Sequence, residues 1–299
     1  MFLSQGDQMT VKNFDFLQIK YKAEQLRRIN VGESLEEFLT RNKDAYRVLE
    51  EEPFAPLIGT ICDERIKADD AWSIPYFLRN EIGSLDPKEI LKFGEFRLKQ
   101  FLRETLEGKW PTKMNESMKI EWLDKISRAI ISALKMFLER NNTPINMFEN
   151  REYSVLEVYF MLRRIPGIGS KKANMITRDF AYRSLGITKK HPWFDQIKRI
   201  RPNFYVVNEN LLDMPIDVNV VKVFSRIFGQ MRGNWRKLLP AYILDIISFS
   251  KLAFPEFPAK LDEIFWIIGR EYCSDNNPRC MECPIVHICE TGRLSMRRY

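Results

Sequence analysis

The chain has 299 residues, of which 45% are hydrophobic and 29% charged, a composition typical of a globular protein with one or two domains. No apolar run approaches the ~20 residues that are needed to cross a bilayer. The N-terminal sequence MFLSQGDQMTVKNFDF has no basic segment followed by a sustained apolar stretch, so we expect no secretory signal. These features argue against a membrane protein and a secreted one, and we expect an intracellular protein.

The net charge of +7 is distributed unevenly along the chain. Residues 161–240 contain 16 Lys and Arg but only 5 Asp and Glu, a local charge of +11, whereas the remaining residues carry −4. One interpretation is a solvated basic face. The other is a surface that binds a polyanion, because Lys and Arg beside phosphates release condensed counterions. Charge alone does not decide between them.

The spacing of apolar residues is helical almost throughout, and no alternating run beside a turn predicts a strand. Two stripes show this spacing: Phe16, Ile19, Ala23 and Leu26, and then Ile126, Ala129, Ile130, Leu134 and Phe137. We therefore predict an all-α protein. The stretch 186–215 is less regular, with three prolines, and we interpret it as a long connection with a helical turn inside it.

The segment LRRIPGIGSKKANM predicts two helices joined by a tight turn. The first helix should end near Arg164, because Pro166 disfavours helical geometry in the residue before it. Gly167 and Gly169 allow tight turning and the close approach of another backbone. The second helix should begin near Ser170, whose side chain can cap it.

Backbone N–H groups of such a turn and helix start converge on one point, which favours a bound phosphate. A simple pair of core helices would have the same glycines, so this pattern alone leaves both interpretations open. The adjoining Lys171 and Lys172 favour an anion.

Four of the five cysteines fall within 17 residues, in the spacing C-x6-C-x2-C-x5-C. They are Cys273, Cys280, Cys283 and Cys289. Such clustering is unlike scattered disulfides and predicts one centre, either a tetrahedral zinc ion or an iron–sulfur cluster. The spacing alone does not exclude zinc. The fifth cysteine, Cys62, lies in the apolar segment APLIGTICDERI, and we expect it to be a buried core thiol.

The hairpin sequence L-x-x-I-P-G-I-G-S-K-K-A-N resembles that of endonuclease III and its relatives, the helix-hairpin-helix superfamily of base-excision DNA glycosylases. The resemblance covers roughly residues 50–290. It implies two helical domains that flank a DNA-binding cleft. One would be a helical barrel over residues 50–205, which contains the helix-hairpin-helix at 162–184. The other would combine N-terminal helices in residues 1–49 with a cluster domain over residues 206–299.

In this family the hairpin grips the DNA backbone, often through a monovalent cation, which implies DNA contacts from the hairpin residues. These are Gly167, Ile168, Gly169, Ser170 and Lys172. The family places a nucleophilic lysine two residues after the second glycine, where this chain has Lys171. Its neutral amine would attack the sugar and form a Schiff base.

The segment MPIDVNVVKV resembles the family's segment in which an aspartate opens the next helix, and Asp217 occupies that place. A carboxylate there would stabilise the positive charge that develops at the anomeric carbon as the base leaves. The alternative is a helix N-cap, a position that favours Asp on any helix. The two roles are compatible.

The four clustered cysteines match the family's [4Fe–4S] loop, which implies such a cluster in a structural role. Arg279, next to Pro278, matches a loop that contacts DNA phosphates in the family. Residues 56–71 resemble the helix and loop that enter the duplex. Many relatives carry glutamine there to fill the gap left by the flipped base, whereas this chain has Arg65.

The resemblance implies a DNA glycosylase and AP lyase that extrudes a damaged nucleotide from duplex DNA, removes the base and nicks the strand by β-elimination. Two alternatives stay open. One is a thymine or uracil mismatch glycosylase with little lyase activity, and the other is a non-catalytic iron–sulfur protein that binds nucleic acid. We expect a monomer in the cytoplasm or nucleoid, or in the nucleus if the source is eukaryotic.

Overall fold

The computed structural model describes residues 16–29, 39–187, 191–229 and 234–297, apart from the side chains at positions 236 and 239. Over these ranges the regular structure is helical except for one pair of three-residue strands. The predicted all-α class is therefore confirmed. None of the described helices is long and apolar enough to cross a membrane.

The α-helices of the described residues are, in chain order, α1 (Phe16–Leu26), α2 (Lys43–Glu51), α3 (Ala55–Cys62), α4 (Ala68–Ile82), α5 (Pro87–Phe93), α6 (Glu95–Thr105), α7 (Glu116–Glu139), α8 (Val155–Arg163), α9 (Ser170–Ser184), α10 (Pro192–Ile200), α11 (Val218–Ile227), α12 (Trp235–Ala253), α13 (Lys260–Glu271) and α14 (Glu290–Met296). Strands β1 (Glu152–Ser154) and β2 (Tyr205–Val207) pair in parallel. The chain forms two compact units, one from Met1–Gly32 and Asn208–Tyr299 and the other from Glu33–Val207.

The core of the Glu33–Val207 unit contains α3, which is buried along its whole length and packs against α4 and α7. On α7 the predicted apolar stripe faces inward, although Ala129 is only half-buried. Cys62 ends α3 and is fully buried, so the predicted core thiol is confirmed. Burial raises the pKa of this thiol to about 12, which makes it unreactive at neutral pH.

The sequence predicts a long connection with one helical turn over residues 186–215, whereas the structure has a helix and a strand there. α10 begins at Pro192, where a proline loses no helical hydrogen bond, and it buries Trp193 and Phe194. β2 follows and pairs with β1. The predicted connection is therefore wrong for residues 192–207, because Pro192 marks the start of a helix rather than a break. Residues 188–190 of this stretch lie outside the described residues.

An aromatic cluster surrounds Phe180 of α9. Its ring packs edge-to-face against Trp193 and Phe204, with centroids 5.9 Å apart in both pairs. His191, for which the sequence suggests no role, is fully buried here and caps α10, because its Nδ1 accepts a hydrogen bond from the N–H of Phe194 (3.3 Å). Burial lowers the pKa of His191 to about 4, so the capping imidazole is neutral.

In the other unit, α11 packs against α12, α13 and α14, and α1 lies beside α12. Ala23 and Leu26 of α1 are buried, whereas Phe16 is exposed, so the predicted apolar face covers only the C-terminal part of that helix. Lys22 is buried on the same helix, and its Nζ donates to the carbonyl oxygen of Ile227 (3.2 Å). This ammonium therefore satisfies an acceptor at the C-terminus of α11.

Candidate functional site

The hairpin between α8 and α9 is built on a type II turn over residues 165–168. The N–H of Ile168 donates to the carbonyl three residues before it (3.1 Å), Pro166 takes the second position, and Gly167, with φ of +85°, takes the third. A side chain at Gly167 would place its Cβ 2.8 Å from that of Ala129 on α7. The turn therefore requires glycine there both for its backbone conformation and for its packing.

The start of α9 differs in one respect from the sequence-based expectation. Gly169 is the N-cap and Ser170 is the first helical residue, so the serine side chain does not cap the helix. Gly169, Ser170 and Lys171 are exposed, and no atom beyond the adjoining residues lies within 4 Å of the position that a Cβ would take at Gly169. An exposed helix N-terminus without a side-chain cap has N–H groups available to an anion such as a phosphate.

Gly167 and Ile168 use their backbone groups inside the hairpin. Ile168 is buried, and its carbonyl oxygen accepts a hydrogen bond from Arg163 Nη1 (3.0 Å). The carbonyl of Gly167 accepts a long hydrogen bond from Lys172 Nζ (3.4 Å). The monovalent cation expected at the hairpin does not fit well here, because two side-chain cations already bond to these oxygens.

The two adjacent lysines of α9 have opposite surroundings. Lys171 is exposed, whereas Lys172 is buried and its Nζ donates to the carbonyl oxygen of Ile61 (2.7 Å). The same ammonium lies 3.5 Å from the carboxylate of Glu64. Burial lowers the pKa of Lys172, although the charge of Glu64 opposes this shift. The expected DNA contact of Lys172 is corrected accordingly, because its ammonium points into the protein.

The loop between α3 and α4 holds Arg65 in a left-handed conformation, with φ of +64°, which is strained for a residue with a side chain. Neighbouring contacts hold the loop in place: Trp122 Nε1 donates to the carbonyl of Glu64 (2.5 Å), and Trp72 Nε1 donates to a carboxylate oxygen of Asp63 (3.3 Å). The Arg65 guanidinium lies 3.4 Å from a carboxylate oxygen of Glu121 on α7. Its predicted insertion into DNA would require it to leave this carboxylate.

Three positively charged side chains surround the carboxylate of Glu64. Its carboxylate is bonded to Lys125 of α7 and lies near Lys172 and Arg65. Burial alone would raise the pKa of Glu64, but the hydrogen bond from Lys125 and the charges of the three cations lower it overall. Glu64 is therefore a carboxylate at neutral pH. Sequence reasoning missed this residue, because its partners Lys125 and Lys172 are far away along the chain.

Asp217 is the N-cap of α11, in the other unit. One of its carboxylate oxygens accepts hydrogen bonds from the N–H groups of Asn219 (2.8 Å) and Val220 (2.9 Å). The N-cap role is therefore confirmed. The side chain is half-buried, so the helix start fixes the direction of a carboxylate that solvent still reaches.

The four clustered cysteines line one cavity together with residues of α11, α13 and α14. Burial raises the pKa of Cys283 to about 11 and that of Cys289 to about 12, so both are thiols at neutral pH unless an electrophilic centre deprotonates them. Within the described ranges, no three His, Cys, Asp or Glu side chains form a group that could hold a metal ion. Thiolate sulfur is a ligand both of zinc and of iron–sulfur clusters, so the lining of this cavity fits either centre.

Two basic residues of α11, Lys222 and Arg226, are buried against the cysteine loop. Arg226 Nη1 donates to Sγ of Cys273 (3.1 Å). Lys222 Nζ donates to the carbonyl of Gly269 (3.0 Å) and lies 3.7 Å from a carboxylate oxygen of Asp275, and burial lowers its pKa. Sequence reasoning missed both residues. Their signal is two cations four residues apart in the largely apolar segment VNVVKVFSRI.

Arg279 lies beside the same loop with its guanidinium half exposed. Its Nη2 donates to the carbonyl of Glu271 at the end of α13 (2.6 Å), and its Nη1 pairs with a carboxylate oxygen of Glu282 (3.0 Å). These bonds hold the loop on α13. A phosphate contact from Arg279 remains a prediction, and it would have to form alongside or in place of the pair with Glu282.

No family model matches the chain, and no curated protein matches it. Solved structures do resemble it. A non-covalent endonuclease III–DNA complex matches with a TM-score of 0.54 at 16% sequence identity, over 94% of this chain and 98% of that one. A trapped covalent endonuclease III–DNA intermediate gives 0.50 at 16% identity over the same shares. A thermostable thymine-DNA glycosylase gives 0.48 at 12% identity, over 93% and 98%.

The all-α architecture with a hairpin between α8 and α9 is shared with a solved endonuclease III structure. Its particular form is the endonuclease III fold, which the chain shares over almost its whole length. The predicted resemblance is thus confirmed at the level of the fold.

Proposed function

We propose that this chain is a DNA glycosylase with AP lyase activity, which removes a damaged base from duplex DNA. The proposal rests on the position of Lys171. This residue is exposed in the first turn of α9, two residues after the second glycine of the hairpin. The fold supports the same function, because one structure that shares it is a trapped covalent intermediate with DNA. A covalent intermediate needs a nucleophile, and an exposed lysine amine can supply one.

In the proposed reaction the carboxylate of Asp217 stabilises the positive charge that develops at the anomeric carbon while the base leaves with the bonding electron pair. The neutral amine of Lys171 donates its lone pair to that carbon. One amine proton moves to the ring oxygen as the bond between that oxygen and the anomeric carbon breaks, and a protonated Schiff base results. Removal of a proton from the neighbouring sugar carbon expels the 3′ phosphate and nicks the strand.

Lys171 belongs to the Glu33–Val207 unit and Asp217 to the other compact unit. Within its own unit, each has a defined setting. Lys171 is exposed in the first turn of α9, so its amine is accessible to a substrate. The hydrogen bonds at the start of α11 keep the Asp217 carboxylate oriented before the substrate arrives.

DNA binding follows from the same features. The exposed N–H groups at Gly169 and Ser170 would hold a phosphate, and the basic excess in residues 161–240 would supply affinity that does not depend on sequence. Arg65 and Arg279 are proposed as further contacts, to the gap left by the extruded base and to a phosphate, respectively. We assign no monovalent cation at the hairpin, because Arg163 and Lys172 bring positive charge to its carbonyls.

We also propose that the four clustered cysteines hold a [4Fe–4S] cluster. Each thiolate of such a cluster binds a different iron atom, and the four cysteines that line one cavity would supply the four thiolates. The bond from Arg226 to Cys273 fits a thiolate, since a hydrogen bond from a charged donor stabilises negative sulfur. The bound cluster would cross-link the loop and take no part in base removal.

A panel of duplexes tests the proposed function. It would carry oxidised pyrimidines, oxidised purines, uracil, thymine mismatches and methylated bases, each assayed for base loss and for a borohydride-trapped adduct. We expect base loss and an adduct on at least one lesion. Base loss without an adduct would indicate a mismatch-type glycosylase with little lyase activity. Binding without either would indicate a non-catalytic nucleic-acid-binding protein.

A further inference from the structure

Lys172 contacts two stretches of the Glu33–Val207 unit that are far apart in sequence. Its ammonium donates to Ile61 O at the end of α3 (2.7 Å) and to Gly167 O in the hairpin turn (3.4 Å). It also lies 3.5 Å from the carboxylate of Glu64, in the loop that carries Arg65. One buried side chain therefore joins the hairpin to the α3–α4 loop.

The chemistry of this contact is specific to an ammonium. Lysine has three donors and no acceptor, and a buried charge is tolerated only when it is paired and hydrogen-bonded. Here two carbonyl oxygens and a carboxylate surround Nζ, and the carbonyl of Ile61 belongs to the negative end of a helix. An apolar residue of the same length could fill the space, but it could not hold two loops by their polar groups.

The two loops are the segments to which the proposed function gives DNA contacts. The hairpin presents Gly169, Ser170 and Lys171 to solvent, and the α3–α4 loop presents Arg65 in a strained backbone conformation. The Lys172 ammonium contacts both segments and so spans the separation between them. A change in that separation would move the phosphate grip relative to the residue that is expected to fill the gap in the duplex.

We propose that Lys172 is a positioning residue that holds the hairpin and the Arg65 loop at the spacing at which both engage one DNA duplex. This proposal rests on the proposed function. Lys172 does not touch the DNA or the reacting atoms. Its role is distinct from that of Lys171, although the two residues are neighbours in sequence.

Lys125 offers a matched control. It bonds the same Glu64 carboxylate from the surface of α7, where its side chain is half exposed. Lys125→Met therefore removes one positive partner of Glu64 and leaves the contact of Lys172 with the hairpin. Lys172→Met removes the ammonium and keeps a flexible chain of similar length in its place.

The first readout is amide hydrogen exchange in the full-length protein without DNA. Lys172→Met should speed exchange in residues 62–67 and 165–170 together by about tenfold or more, the size expected when a hydrogen bond to a charged group is lost. Lys125→Met should change both segments by less than about twofold, as an exposed ion pair contributes little. Unchanged exchange in Lys172→Met, or equal changes in the two variants, would overturn the assignment.

The second readout separates positioning from chemistry. On duplexes with a preformed abasic site, Lys172→Met should raise the DNA concentration that gives half-maximal borohydride trapping by about tenfold. This is the size of effect expected when one hydrogen bond to a charged group is lost. The trapping rate at saturating DNA should stay within about twofold of wild type. A loss of the saturated rate with an unchanged half-maximal concentration would contradict a positioning role.

If Lys172→Met fails to fold, Glu64→Gln provides the test, because it weakens the ionic link to the Arg65 loop and keeps the bonds of Lys172 to both carbonyls. Exchange should then rise in residues 62–67 and not in 165–170, and no change in either segment would overturn the assignment. A failure of the proposed function can be told apart from a failure of the role of Lys172. Wild-type protein that forms no adduct would refute the proposed function. Hydrogen exchange is measured without DNA, so it would still decide the role of Lys172.

Discussion

The guanidinium of Arg226 donates a hydrogen bond to Sγ of Cys273 over 3.1 Å. Arg226 lies on α11, the helix that Asp217 caps, and it also donates to the carbonyl of Ser274 (2.8 Å). A buried charge on the helix of the proposed catalytic aspartate is thus bonded to the cysteine loop. The cysteine loop and α11 belong to the same compact unit, and Cys273 and Cys283 pack against its hydrophobic core.

The cysteine cavity leads to the first prediction. Protein purified without oxygen should be brown and should contain iron and sulfide in a ratio near 1:1, as expected for a four-thiolate cubane. Elemental analysis and the visible spectrum measure this directly. Stoichiometric zinc with no visible absorbance would contradict the cluster.

Arg226→Gln should lower the iron content of the purified protein. The variant loses the charge beside Cys273 and the bonds to the loop carbonyls, and changes around metal-bound groups commonly cost about 10- to 100-fold in affinity. Iron release to a chelator, followed over time, gives the measurement. Lys237→Gln, at an exposed position of α12, is the control and should release iron at the wild-type rate. Equal rates for all three proteins would remove Arg226 from this role.

Local turn chemistry made the hairpin predictable from sequence. Pro166 and Gly167 fit the second and third positions of a type II turn, and the structure shows this turn. The burial of Lys172 was not predictable, because its partner Ile61 lies 111 residues away in the chain. Helical spacing predicted the apolar face of α1 but could not show that Phe16 on that face is exposed. Pro192 looked like a break, although a proline also begins helices.

Arg279→Ala tests the predicted phosphate contact. Affinity should fall to a similar extent on different DNA sequences, and the slope of log affinity against log salt should flatten by about one. Binding measured from low to moderate salt gives both quantities. The bond of Arg279 to Glu271 requires a check on the fold, which the iron content and the circular dichroism provide. A wild-type slope in a folded variant would exclude a phosphate contact.

Arg65→Ala tests the residue that is expected to fill the gap in the helix. Excision should be impaired more on a lesion in duplex DNA than on the same lesion in a single strand, since only the duplex leaves a gap. Glu121→Gln is a useful companion, because it removes the carboxylate that pairs with the Arg65 guanidinium. That variant should keep or improve duplex excision. Equal losses on both substrates in Arg65→Ala would point to another role.

Asp217→Asn separates the charge of this residue from its capping role. Asn is as good an N-cap as Asp, so α11 should keep its start and the protein its stability. Base excision should slow by roughly 10²–10³-fold, the range for loss of one preorganised electrostatic group. Trapping on a preformed abasic site should suffer much less, because the base is already gone. Wild-type excision by this variant would leave Asp217 with the N-cap role alone.

The most direct test of the central claim is borohydride trapping by Lys171→Gln on duplex DNA with a cognate lesion or an abasic site. The variant should give no covalent adduct and should keep its iron content and its DNA affinity. Lys172→Met serves as the neighbouring control and should still form the adduct at saturating DNA, because its ammonium faces Ile61 and Gly167 rather than solvent. Adduct formation by Lys171→Gln at the wild-type rate would show that the nucleophile is another residue and would contradict the proposed active site.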